Sequence, residues 1–214
     1  MHLTTRTPSV YLSCCAALFA AATLARAGTL WNESVNGDLS NNQLNPTSLT
    51  LVPGTNAVIG TVGGLDTQDW VAVDVPDDYQ LSALILRNYV STDSQGFIGF
   101  QFGAGFAGNV YVPTSYAGYA HFGTGATNGA LPPTDLTGAD LLPLMADPTL
   151  SAGATGFTIP LDSGPYTFLI QQLSNSTQYE FDYIVTPVPA PSSLALLTLS
   201  AAPCLCRSRR RAGV

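Results

Sequence analysis

The stretch that decides the fold is "PYTFLIQQLSNSTQYEFDYIV", residues 165–185. Apolar and polar residues alternate through both halves of it. Tyr166, Phe168 and Ile170 fall on one face of the first half. Tyr179, Phe181 and Tyr183 fall on one face of the second, with Glu180 and Asp182 opposite. A period of two with β-branched and aromatic residues is the pattern of a strand buried on one side. Asn175 and its serine neighbours supply a turn between the halves, so the stretch reads as a β-hairpin with an aromatic inner face.

The same pattern recurs upstream. "SLTLVPGTNAVIGTV" (48–62) reads as two strands around a Pro53-Gly54 turn. "DWVAVDVP" (69–76) turns Val71, Val73 and Val75 inward and Asp74 outward. "LSALILRNY" (81–89) is a denser apolar run, as expected of a central strand. "GFIGFQFGAGF" (96–106) alternates Phe with Gly, as in a strand that a neighbour approaches closely. One segment breaks the rhythm. "PTDLTGADLLPLMAD" (133–147) has no β-branched run; it reads as a short helix with Asp135 as its cap, ended or kinked near Pro143. The fold class is therefore all-β: a single antiparallel β-sandwich of jelly-roll type with one short helix, over residues 28–186. A body of this size can bury a core without disulfides.

The ends of the 214-residue chain have a different composition. All seven basic residues are arginines, and Arg87 alone lies in the body, against all fourteen acidic residues. The body thus carries a net charge of −13, which excludes binding to nucleic acid through its phosphates. The four cysteines of the chain (Cys14, Cys15, Cys204 and Cys206) also lie near the ends, which leaves the body without a disulfide or a thiol nucleophile.

Residues 1–27 read as a helical signal peptide: Arg6, an apolar run from Tyr11 to Leu24, then Ala25 and Ala27 at the positions a signal peptidase inspects. Residues 187–214 close the chain with Pro187, Pro189 and Pro191, the apolar run from Leu194 to Cys206, and Arg207, Arg209, Arg210 and Arg211. Thirteen residues of helix reach about 20 Å, short of the roughly 30 Å hydrocarbon core, so this short hydrophobic helix suits a transient membrane stop better than a permanent anchor. The order Val188, Pro189, Pro191, Ser192, apolar run and arginines resembles the PEP-CTERM sorting signal of exported bacterial proteins. Ala190 stands where that family usually has glutamate. The resemblance implies processing by an exosortase and delivery to the cell surface or the extracellular polysaccharide matrix, after a transient stay at the membrane.

"VIGTVGGLDTQDWVAVDVP" (58–76) resembles the bacterial pre-peptidase C-terminal domain through Asp66, Asp69, Trp70, Val75 and Pro76, with Asp77-Asp78 replacing that family's usual pair. Members of that class are accessory modules of secreted proteins, and some bind calcium or polymers. Calcium takes carboxylate, amide and carbonyl oxygens. "WNESVNGDLSNN" (31–42) offers Asn32, Glu33, Asn36 and Asp38, and "GLDTQDW" (64–70) offers Asp66 and Asp69. The resemblance implies that these two segments meet, which makes Glu33, Asp38, Asp66 and Asp69 the candidate calcium ligands.

Catalytic equipment is sparse. The body has one histidine, His121 in "GYAHFGTG", with no Gly-x-Ser-x-Gly elbow to place a nucleophile beside it. One histidine without cysteine does not make a zinc site. Trp70, Tyr111, Tyr116 and Tyr119 are either core or a sugar-binding platform. The sequence thus leads to an exported, non-enzymatic protein, structural or adhesive, in contact with extracellular polysaccharide. The alternatives are a calcium-dependent carbohydrate-binding module and, behind it, a secreted hydrolase.

Overall fold

The structure is a computed structural model that describes residues 28–190. Two sheets pack face to face. The strands are β1 (Gly28–Asn32), β2 (Thr47–Thr50), β3 (Gly54–Val62), β4 (Gln68–Val75), β5 (Tyr79–Val90), β6 (Gly96–Phe102), β7 (Gly118–Phe122), β8 (Gly164–Gln171) and β9 (Thr177–Pro187). Two short helices, α1 (Glu33–Asn36) and α2 (Leu142–Ala146), lie in the connections. The four-stranded sheet has the order β1-β3-β9-β5, and the five-stranded sheet the order β2-β4-β8-β6-β7. The all-β sandwich expected from the sequence is thus the observed architecture.

The inward faces follow the alternation. Val71, Val73 and Val75 of β4 are buried and Asp74 is exposed. Tyr166, Phe168 and Ile170 are buried, as are Tyr179, Phe181 and Tyr183. The neighbours are another matter. The stretch 165–185 is not a hairpin: β8 pairs with β4 and β6, whereas β9 pairs with β3 and β5 in the opposite sheet. The turn at 172–176 carries the chain from one layer to the other. The two aromatic rows meet across the core, with the Phe168 and Tyr183 rings 5.3 Å apart and nearly perpendicular. The 48–62 stretch behaves alike: β2 lies in the five-stranded sheet, β3 in the four-stranded one, and Gly54 at φ 102° makes the corner.

This shuttling between layers explains the two pairings that are not antiparallel. The chain visits β1, β2, β3 and β4 in alternate sheets, so each excursion through one sheet acts as the crossover for the other. β1 and β3 therefore run parallel, and so do β2 and β4.

β5 is an edge strand, not a central one. Its apolar density has another cause. Register shifts between Leu81 and Ala83 and between Leu86 and Asn88 break the alternation, so Leu81, Leu84, Leu86 and Tyr89 all reach the core at spacings of three, two and three. The outer edge of β5 is covered. Leu81 exchanges backbone hydrogen bonds with Leu161, Leu86 bonds with Gly138 and Ala139, and Asp140 Oδ1 accepts from Leu84 N at 2.9 Å. The same Asp140 oxygen accepts from Leu142 N at the start of α2. Asp135 does not cap that helix; it closes a turn on Thr137 N. Pro143 lies in the first turn of α2, where its missing N–H costs nothing, so it opens the helix instead of ending it.

The outer face of the five-stranded sheet is partly roofed by residues 103–117. Phe106 and Tyr116 from this loop pack over Trp70 and Leu169 in a second apolar cluster. Gly99 of β6 leaves room for it: a Cβ there would lie 2.6 Å from the Tyr116 ring, which is the close approach that the Phe-Gly alternation implies.

Candidate functional site

At one end of the sandwich the α1 segment folds back on the turn before β4. Asn32 caps α1 by accepting from Ser34 N, and Asn36 Oδ1 accepts from Asn32 N. Both amides therefore close the local turn. Gly37, at φ 92°, ends the helix. Trp70 N then donates to Ser40 O at 2.7 Å, which draws residues 38–40 alongside the start of β4. On the other side, Gly63 and Gly64 at φ 115° and 72° shape the tight turn that presents Asp66.

These two segments bring together three of the four carboxylates chosen from the sequence, Glu33, Asp38 and Asp69, with Asp66 beside them. Glu33, Asp38 and Asp69 each offer a carboxylate oxygen, and those oxygens lie within 4.8 Å of one another. Asp66 stands beside this trio, close enough for Asp38 and Asn41 to act on its carboxyl. Glu33 is anchored at both oxygens: Oε1 accepts from Leu39 N at 3.1 Å and Oε2 from Thr61 N at 2.6 Å. Asp69 is fully buried. Its Oδ2 accepts from the Tyr179 hydroxyl at 2.7 Å, but its Oδ1 has no partner among the described residues, nor has Asp66 Oδ1.

The electrostatics follow from this crowding. Burial first, then the charges of Glu33, Asp66 and Asp38, pushes the Asp69 carboxyl up to about 9, against the pull of its Tyr179 hydrogen bond. Burial likewise raises Glu33 above the usual carboxylate range, opposed by its two backbone hydrogen bonds. Burial and the neighbouring Asp38 raise Asp66. Oxygens bound to calcium at 2.3–2.6 Å lie at most about 5 Å apart, which matches the 4.8 Å limit of this cluster. A cation there would give the orphaned oxygens their partner.

Two contributors escaped the sequence. Tyr179 reads as one core aromatic among three, and Asn41 as one of a run of turn residues. Only the sandwich carries Tyr179 to Asp69, 110 positions away. Gly60 makes room for it: a Cβ there would lie 2.3 Å from the Tyr179 hydroxyl.

The other sequence candidates separate. Of the aromatics, Trp70 and Tyr116 are buried, whereas Tyr111 is exposed and Tyr119 half-exposed. His121 lies on β7, its Nδ1 bonded to the Thr127 carbonyl at 2.9 Å; no side-chain hydroxyl bonds its ring among the described residues. Val188 N donates to Asp78 O just past β9, and Pro189 follows it, exposed. Ala25, Ala27, Pro191, Ser192, Arg207, Arg209, Arg210 and Arg211 lie outside the described residues, as do the signal peptide and the C-terminal hydrophobic run. Among the described residues no helix is long and apolar enough to cross a membrane. No protein-family model, curated protein or solved structure matches the chain.

Proposed function

We propose that this chain is an exported, non-enzymatic β-sandwich protein, structural or adhesive, whose folded body binds calcium through Glu33, Asp38, Asp66 and Asp69. The observation that carries the calcium reading is Asp69 Oδ1: fully buried, without a partner among the described residues, and beside two further carboxylates. An ionised carboxylate in that setting costs several kcal/mol unless a cation or a proton compensates it. Two segments distant in sequence converge to create the arrangement, and Tyr179 holds one ligand oriented from behind, as the outer partners of metal sites do.

Export rests on the termini. The signal-like residues 1–27, with Ala25 and Ala27 before Gly28, support cleavage by signal peptidase. The Pro-rich motif, apolar run and arginines of 188–214 support handling by an exosortase-type enzyme and release at the cell surface or into extracellular polysaccharide. Calcium is available in that setting, and a strongly acidic body is suited to it.

Calorimetric titration of the purified chain with calcium tests the metal reading. One site of micromolar to millimolar affinity is expected, lost in Asp69→Asn. A calorimetrically silent titration with an unchanged melting temperature would remove it. Mass spectrometry of the native exported protein tests the addresses; a product that keeps residues 1–27 and the terminal arginines would sink them.

A further inference from the structure

The exposed part of the five-stranded sheet's outer face carries an ordered row of side chains that the calcium reading leaves unused. In register across four adjacent strands stand His121 of β7, Phe97 of β6, Gln171 of β8 and Gln68 of β4. At about 4.8 Å between strands the row spans about 14 Å. Where the roofing loop stops, a cleft of about 270 Å³ opens over Phe97, His121 and Gln171, walled by Gln95, Gln172 and Leu173. Beyond Phe97 a second cleft of about 180 Å³ continues between Tyr111, Pro113 and Tyr119. Tyr119 stacks on Phe97, with centroids 5.7 Å apart and planes 30° apart, and His121 meets the same ring edge-on at 5.9 Å.

The walls are fixed and the floor is not satisfied. Gln95 Oε1 accepts from both Thr127 N and Thr127 Oγ1, and Gln172 Nε2 donates to Gln95 O. Gln171 Nε2, by contrast, is buried without a hydrogen-bond partner among the described residues. The Nδ1 of His121 is engaged by the Thr127 carbonyl, and among the described residues Nε2 has no hydrogen-bond partner; in the tautomer whose Nδ1–H donates to that carbonyl, Nε2 is an acceptor. An unsatisfied carboxamide in the floor and a histidine nitrogen without a partner among the described residues, flanking an aromatic ring, are the few convergent polar groups that mark a ligand cleft.

We propose that the row His121–Phe97–Gln171–Gln68, extended by Tyr119 and Tyr111, is a binding subsite for a neutral oligosaccharide. Carboxamides both donate and accept, as sugar hydroxyls do, and aromatic rings suit the apolar faces of sugar rings. Apart from His121, neither cleft is lined by an acidic or basic side chain among the described residues, so none of these pairs an anionic or a cationic ligand. The −13 charge of the body also repels uronic or sulfated polymers. A peptide adding as a strand has no foothold on β7. Its outer-edge groups Tyr119 N, His121 N and His121 O are already bonded to Ser151 and Asn128.

This inference rests on the reading of the chain as an exported, non-catalytic module and is independent of calcium. The test is calorimetric titration of the full chain, in EDTA and again with calcium, using neutral hexasaccharides (cello-, xylo-, manno- and laminarihexaose) and hexagalacturonate. At least one neutral hexasaccharide binds in both buffers, and hexagalacturonate does not. Gln171→Leu and His121→Phe each weaken binding about tenfold or more with the melting temperature held. Phe97→Ala abolishes binding. Silence of all four neutral probes, preference for hexagalacturonate, or affinity untouched by Gln171→Leu and His121→Phe overturns the subsite. A calcium titration without heat, with sugar binding intact, would sink only the metal reading, and cleavage of the bound sugar only the non-catalytic one.

Discussion

On the calcium proposal, Asp69 would couple protonation, cation binding and stability in one side chain. Its folded-state pKa, about 9, is far above that of an exposed aspartate, and Glu33 and Asp66 are displaced in the same direction. Between pH 4 and 9 the cation-free fold therefore holds more protons than the unfolded chain, so its stability falls as pH rises through that window. Thermal denaturation in EDTA should show a lower melting temperature at pH 8 than at pH 5, and saturating calcium should erase most of that difference. At pH 8 and a hundredfold excess of calcium over its dissociation constant, the gain is about 2.7 kcal/mol, a rise of roughly 5–10 °C. Gly60→Ala provides a separate test, because the added methyl occupies the place of the Tyr179 hydroxyl. Calcium affinity should fall at least about tenfold while the sandwich still folds. Tyr183 offers the opposite case. Its hydroxyl is buried without a partner among the described residues, so Tyr183→Phe should stabilise the protein by about 1 kcal/mol in denaturant titration.

Among the elements, β5 carries the clearest lesson. A strand dense in apolar residues reads as central, yet it lies at an edge and keeps its density by two register shifts. The exposed ladder is closed by the 138–141 and 161 segments, with Asp140 accepting from both Leu84 N and Leu142 N. Asp140→Ala should remove about 1–3 kcal/mol by orphaning two backbone donors. Hydrogen exchange should then show faster exchange at Leu84 and Leu142, with β8 protection unchanged. Slower or unaltered exchange at those two amides would contradict the edge-closing role.

For the whole molecule, the layer-to-layer path of the chain creates both candidate sites. Because β8 and β9 face each other, the 172–176 turn crosses the end of the sandwich and lies against the Asp66 turn, where Gly64 N donates to Ser174 O. The core between the layers is built from the two aromatic rows, and Phe168→Ala should cost about 3–5 kcal/mol of unfolding free energy. Much of this organisation was legible in the residues. The period of two identified β4, β8 and β9 with their inward faces from Val71 to Tyr183, and the acidic residues of 31–42 and 64–70 include the three carboxylates, Glu33, Asp38 and Asp69, that converge. Alternation records burial, which each residue senses through its own side chain. Pairing partners, the edge position of β5, the parallel β1–β3 and β2–β4 contacts and the Tyr179–Asp69 bond depend on the path of the chain between layers. A hairpin and a layer-crossing turn bury the same side chains with the same local pattern, so only the tertiary structure could decide between them.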